Sequence, residues 1–350
     1  MKVILYTYDL NIIGGIETSF YQLAQHLKAK GYDVAVRYNQ ADIMQLDRYR
    51  EAGIDISHIK QETCDILIIG SIYSNSKLIT AKVTVQQVHA DYTDKFWNGA
   101  GEALRMLDRD KDKIDIYAPV SISASKFVKK AVKKPVIVMN NIAPKKDKVK
   151  RVKHSGLNFG AFTRMTPEKG LKNYQNFRMQ IEKLGIKAKF YVYTNGEAPD
   201  GWIKKEPVVD IKTELGKIDY VVSLADTESF GYTIAEANSV GIPCVIKRAN
   251  STGEFFSDDN IILDDELSFN ENDLGRTIKT YDLRFYTEQS VDKAMKTFEK
   301  LTVNKCIIKS MRRFYDLDAR VTRYKGEIFT VNKKRADELL NNELRLVERI

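Results

Sequence analysis

Short apolar runs of strand length alternate with helical stretches along this chain, and that alternation leaves few architectures open to it. Residues 3–8 form the first run, followed by a helical pattern over residues 16–30, a stop at Gly31 and a second run over 33–38. Further runs occupy residues 65–70, 83–88, 116–120 and 136–139. Buried strands separated by helices make a parallel sheet. The first helix sets Ile16, Phe20, Leu23, Ala24 and Leu27 on one stripe, with Gln22, Gln25 and Lys28 elsewhere. That is the pattern of a helix covering a sheet.

Between Asn140 and Ser155 the sequence turns Pro- and Lys-rich and loses periodicity, then the alternation restarts at residue 157. A domain boundary follows. The second half repeats the first: a run over 157–162, a loop, a helix over 171–184, a run over 189–193 and the loop Thr194-Asn195-Gly196. Residues 317–350 read as helical, with Val321, Tyr324, Ile328 and Phe329 as an apolar stripe.

A length of 350 residues suits two ordinary domains. Cys64, Cys244 and Cys306 are odd in number and far apart, which gives neither a disulfide framework nor a zinc site and points to the cytoplasm. No run approaches the ~20 apolar residues that span a bilayer. The four histidines show no metal spacing, so no cofactor or protein-held metal is expected. The net charge of +9 is concentrated in the block from Lys126 to Lys153, with eleven Lys or Arg against one acid. Such a block can lie on an anionic membrane surface, track nucleic acid, or simply be a solvated face and linker.

The densest chemistry lies in Glu228-Ser229-Phe230-Gly231-Tyr232-Thr233-Ile234-Ala235-Glu236, between a run over 220–224 and another over 244–246. A helix over 232–240 joins the two, so this is a βαβ unit. Ligands of such units sit outside the carboxyl ends of the strands, where a helix N-terminus offers unpaired N–H groups to an anion. Two acids there can also merely complement the helix dipole. Arg164 and Lys169, five apart on the loop after residue 162, are the pair a diphosphate needs, though each could equally be a surface charge. Gly14 and Gly15 occupy the first strand-to-helix loop, where a backbone turns sharply or approaches a ligand. G-x-G-x-x-G is absent, which argues against a dinucleotide enzyme. His89 ends a buried run, also at a carboxyl end.

Taken together, these segments resemble the retaining glycosyltransferases of family 4. Glu228 to Glu236 is similar to that family's E-x7-E element, running on into Gly241-Ile242-Pro243-Cys244-Val245. Arg164 with Lys169-Gly170 is similar to its R-x-x-x-x-K-G segment, and Gly14-Gly15, residues 120–125 and Thr252-Gly253-Glu254 also match. The resemblance covers nearly the whole chain and implies an α/β GT-B fold, two Rossmann-like doubly wound domains facing a central cleft. The domains would be 1–150 on the acceptor side, 151–312 for the nucleotide sugar, and a helical tail over 313–350 whose first part crosses back. The implied activity is metal-independent, retaining transfer of a hexose from a UDP-linked sugar to an acceptor hydroxyl, in envelope glycan or glycolipid synthesis at the inner face of the membrane. Glycosylation of a nucleic-acid base and non-catalytic binding of a sugar nucleotide are the alternatives. By the same resemblance Arg164 and Lys169 would take the diphosphate charge, Glu228 and His89 would face the transferred sugar, and Glu236 would hold the ribose. Gly14, Gly15, Asn195, Gly196, Ser229, Phe230, Gly231, Tyr232 and Thr233 would complete the substrate site.

Overall fold

The computed structural model describes residues 1–11, 14–70, 76–90, 105, 107, 111–166, 169–208, 210–249, 251–256, 259–342 and 344–350. Its first sheet contains β1 (Lys2–Leu10), β2 (Asp33–Ala41), β3 (Asp55–His58), β4 (Glu62–Ile69), β5 (Ile79–Val88) and β6 (Ile116–Pro119), in the order β3-β2-β1-β4-β5-β6. Every pairing in it is parallel. Strand β1 shows why: Val3 and Leu5 enter one apolar cluster while Ile4 and Tyr6 enter another, so both faces are covered. The covering helices include α1 (Gly15–Ala29), α2 (Ile43–Glu51) and α3 (Ile122–Ala131). Helix α1 buries Phe20, Leu23, Ala24 and Leu27, as its sequence stripe requires.

The second sheet has the same parallel character, ordered β12-β11-β10-β7-β8-β9. Its strands are β7 (Leu157–Phe162), β8 (Ala188–Tyr193), β9 (Ile203–Lys205), β10 (Tyr220–Ser223), β11 (Cys244–Lys247) and β12 (Ile261–Leu263). Helices α4 (Leu171–Lys183), α5 (Lys212–Leu215), α6 (Tyr232–Ser239) and α7 (Thr252–Phe255) accompany it. The fold is thus two doubly wound α/β units. In each sheet the order reverses beside a central strand, which places a ligand crevice at the carboxyl ends.

Two expectations are corrected. The run over 136–139 is not a regular strand, since only Val136 forms a bridge, to Tyr117. Ile137 and Met139 still donate to the carbonyls of Tyr117 and Pro119. Pro119, lacking an N–H, cannot return a bond, and the ladder stops. The tail is not one helix: β14 (Phe314–Asp316) and β15 (Val321–Arg323) form a hairpin, and β16 (Ile328–Asn332) and β17 (Val347–Arg349) pair with the preceding β13 (Lys305–Ser310) in an antiparallel sheet. Among the described residues of the tail only α9 (Lys333–Leu340) is helical. Residues at helical spacing, Val321 and Tyr324 among them, lie exposed on the hairpin and its following turn, which Gly326 makes with φ +87.

The crossing back to the first domain is made earlier, by α8 (Leu283–Thr302). Val291, Ala294, Met295 and Phe298 complete the first domain's core. Polar ties fix the helix there: His26 Nε2 and Lys30 Nζ stand 2.7 and 2.6 Å from the Asp292 oxygens, and Tyr32 Oη donates to Glu299 at 2.7 Å. The antiparallel sheet adds a further tie, from Thr330 Oγ1 to the carbonyl of Ala81 at 2.6 Å.

Candidate active site

The start of α6 gathers the second domain's chemistry. Gly231 precedes the helix with φ +87, and a Cβ there would lie 3.0 Å from Ile234 and 3.1 Å from Phe256, so glycine is required. This turn aims three N–H groups at one carboxylate oxygen. Glu228 Oε1 accepts from Ser229, Phe230 and Gly231 at 3.1, 3.4 and 3.1 Å, while Oε2 lies 3.2 Å from Lys169 Nζ. Burial alone would raise the Glu228 carboxyl, but Lys169 and the backbone donors outweigh it and hold it below the ordinary value. The Phe230 ring is buried against Tyr232 and Phe255, so that residue offers the cleft only its backbone. Thr233 Oγ1 donates to the carbonyl of Phe162 at 3.3 Å, fastening the helix to the end of β7.

Arg164, on the loop after β7, is exposed and makes no hydrogen bond or ion pair among the described residues. Gly196 comes close beneath it, since a Cβ there would stand 2.8 Å from the Arg164 carbonyl. Asn195 is exposed beside it. Pro167, Glu168 and Asp91 lie outside the described residues.

Glu236, one turn into α6, borders a cavity of about 630 Å³ between the domains. Gln22, Gln45 and Arg48 line it from the first domain, Asp210 and Lys212 from the second, and Lys145 from the linker. Burial, reinforced by Asp210, pushes the Glu236 carboxyl up to about 7, against the opposing pull of Arg48 and Lys212.

From the first domain, Gly14 and Gly15 open α1 directly opposite α6, and a Cβ on Gly15 would lie 3.9 Å from the Tyr232 ring. Tyr232 itself serves the junction, its hydroxyl donating to the carbonyl of Ile142 at 3.3 Å. Nearby, Ser19 Oγ donates to Asn141 Oδ1 at 2.7 Å, which fixes a linker that turns here without any positive φ at Asn140 or Asn141. His89 stands with its ring centroid 6.3 Å from that of Phe20. Its Nε2 is buried with no partner among the described residues, and burial depresses its pKa to about 4, leaving a neutral imidazole. Phe20 reaches this place only because Gly70 lacks a side chain: a Cβ there would meet its ring at 2.3 Å.

The sequence reading missed three groups. Glu17 is buried in the first turn of α1, and burial, then Asp9, raise its carboxyl to about 7 while Arg164 across the cleft and the Gly14 N–H oppose them. Its position three residues after the helix cap was the available signal. Arg48 lies on the short helix α2 among other charged residues, Asp47, Arg50 and Glu51, and carried no signal. Glu254 was noted only as part of a turn.

The basic block is not one patch. Lys126, Lys129 and Lys130 are exposed on α3, whereas Arg151 is bound to Asp219 at 2.9 Å and Lys212 to Asp147 at 2.9 Å along the linker. Among the described residues no helix is long and apolar enough to cross a membrane, and no group of three or more His, Cys, Asp and Glu could hold a metal ion.

No protein-family model and no curated protein matches the chain. Solved structures do. The Anabaena protein Alr3699/HepE, in complex with UDP and glucose, is similar at a TM-score of 0.66 and 12% identity, over 85% of this chain and 99% of that one. A TarM mutant from S. aureus, in complex with fondaparinux, alpha-GlcNAc-glycerol and UDP, gives a TM-score of 0.66 and 9% identity over 86% and 99%. A glycosyltransferase from Rickettsia africae ESF-5 gives 0.57 and 12% over 87% and 99%. At such identities the likeness is one of fold, and the fold is GT-B.

Proposed function

We propose that this chain is a glycosyltransferase that moves a hexose from a UDP-linked sugar to an acceptor hydroxyl with retention at the anomeric carbon. The observation that carries the reading is the nest of three N–H groups at the start of α6, filled by Glu228 and flanked by Lys169. A carboxylate occupying such a nest stands in for the phosphate oxygen it would receive. That HepE and TarM were solved with UDP supports the donor class.

In the reaction, the acceptor oxygen bonds to the anomeric carbon on the face from which the diphosphate leaves, and the acceptor proton passes to the departing phosphate oxygen. Arg164, Lys169 and the α6 N–H groups stabilise the charge growing on that leaving group, each donor contributing roughly 10²–10³ in rate. Glu236 accepts the ribose hydroxyls. His89 offers its free nitrogen to a sugar hydroxyl. No protein-held metal enters this scheme. The acceptor would be an envelope glycan or glycolipid, met at an anionic inner membrane surface through Lys126, Lys129 and Lys130.

Calorimetry against a panel of nucleotide sugars, then mass spectrometry of acceptor extracts incubated with the best donor, tests the proposal. Tight UDP-sugar binding without any product in any extract would leave a binding protein instead. No binding across the panel would end the reading.

A further inference from the structure

Helix α3 of the first domain is finished by a residue of the second. The N–H groups of Ile122 and Ser123 donate to Glu254 Oε2 and Oε1 at 2.8 and 2.9 Å, while the helix's own cap, Ser121 Oγ, accepts from the Ala124 N–H at 3.1 Å. The opening N–H groups of a helix have no partner within it, so this exposed carboxylate supplies what α3 lacks. Alongside it lies a buried contact: Ser251 Oγ donates to Ser121 Oγ at 3.0 Å, and both serines are buried. The same Ser251 donates its backbone N–H to the carbonyl of Glu228 at 3.2 Å, and Glu254 N–H returns to the carbonyl of Ser251 at 2.9 Å. One short segment therefore touches both the donor nest and the opposite domain.

We infer that Glu254 is a positioning residue, a latch that holds the cleft closed on α3 and sets the Glu228 turn against the first domain. The inference rests on reading Glu228 as part of the donor site. Charge-assisted bonds to N–H groups are short and directional, and Glu254 is open to water, so the latch can release when product must leave. Closure excludes water from the cleft, which is what separates transfer from hydrolysis of the donor.

Spin labels at Lys129→Cys on α3 and Lys204→Cys on β9, in a Cys306→Ser background since Cys64 and Cys244 are buried, report the distance between domains. With UDP as the probe, the parent should give one short distance, Glu254→Ala a broader and longer distribution, and Glu254→Gln, which keeps one acceptor oxygen, an intermediate one. In the same variants kcat for transfer should fall about tenfold in the alanine form, with partial rescue by glutamine and a larger share of donor hydrolysis. UDP affinity should stay within about twofold, because the donor nest itself is intact. A parent-like distance distribution in Glu254→Ala overturns the latch, as does a UDP affinity that falls in step with transfer. If the parent transfers no sugar, the proposed function fails while the distances still decide the latch.

Discussion

Lys169 and Glu228 share an ion pair at 3.2 Å whose second oxygen is already committed to three backbone donors. Lys169 thus has two tasks, to hold Glu228 in the nest when the site is empty and to meet the diphosphate when it is full. Lys169→Ala should lower transfer by roughly 10²–10³. Arg164→Ala, which breaks no bond among the described residues, should cost as much in rate and nothing in thermal stability. Steady-state kinetics beside a thermal melt checks both, and rates within a few-fold of the parent would remove these residues from the mechanism.

Glu236 sets a pH dependence. Its carboxyl stands near 7 against an ordinary 4.5, so between those values the folded chain holds a proton that the unfolded chain has lost. That contribution favours the fold at acid pH and is lost as pH rises through about 7. Ribose hydroxyls donate to the carboxylate form, so UDP should bind roughly tenfold more tightly at about pH 8 than at about pH 5.5. Calorimetry should show that slope in the parent and not in Glu236→Gln.

Gly15→Ala separates folding from function. A Cβ there has 3.9 Å to the Tyr232 ring, an ordinary contact, so the melt should move by no more than about 0.5 kcal/mol. If the loop meets the donor by its backbone, transfer should fall well beyond that. Equal rates would mean the glycine is there only for the turn.

Gly70→Ala should act at a distance. The added methyl would drive into Phe20, which flanks His89, and overpacking of this kind costs about 1–3 kcal/mol. A lowered denaturation midpoint together with a rate loss larger than His89→Gln alone would place Phe20 as the prop of that histidine.

Asp292→Ala should loosen α8. Burial would raise this carboxyl, but Lys30 and His26 hold it below its ordinary value, so its contribution is present at neutral pH and lost on acidification. Because Asp292 is partly solvated, about 1–2 kcal/mol is expected, read as a difference between parent and variant that fades toward about pH 3.

The sheets were legible through their central strands, which are buried on both faces as Val3 to Tyr6 are and leave a plain apolar signature; the edge strands β3 and β9, which bury no residue fully, leave none. The turn from Glu228 to Glu236 was legible for a different reason: two acids flank a glycine where a strand passes into a helix, and the positive φ of that glycine helps aim the N–H groups at Glu228. What was hidden is the destination of elements. The helical spacing of Val291, Met295 and Phe298 went unread, and nothing local in it says that such a helix covers the first domain and not the second. Glu17 and Glu254 likewise look like ordinary acids until the cleft brings Arg164 and α3 to them. The tail misled because exposed apolar residues on a hairpin can fall at helical spacing.

Because α8 supplies part of the first domain's core, the domain that begins the chain is the last to be finished. A nascent polypeptide would carry an uncovered apolar surface over β4 and β5 until residues 283–302 emerged to fill it. For the same reason, a truncation ending near residue 150 would not yield a free first domain but an unsealed one, and the second domain cut loose would drag a homeless helix behind it.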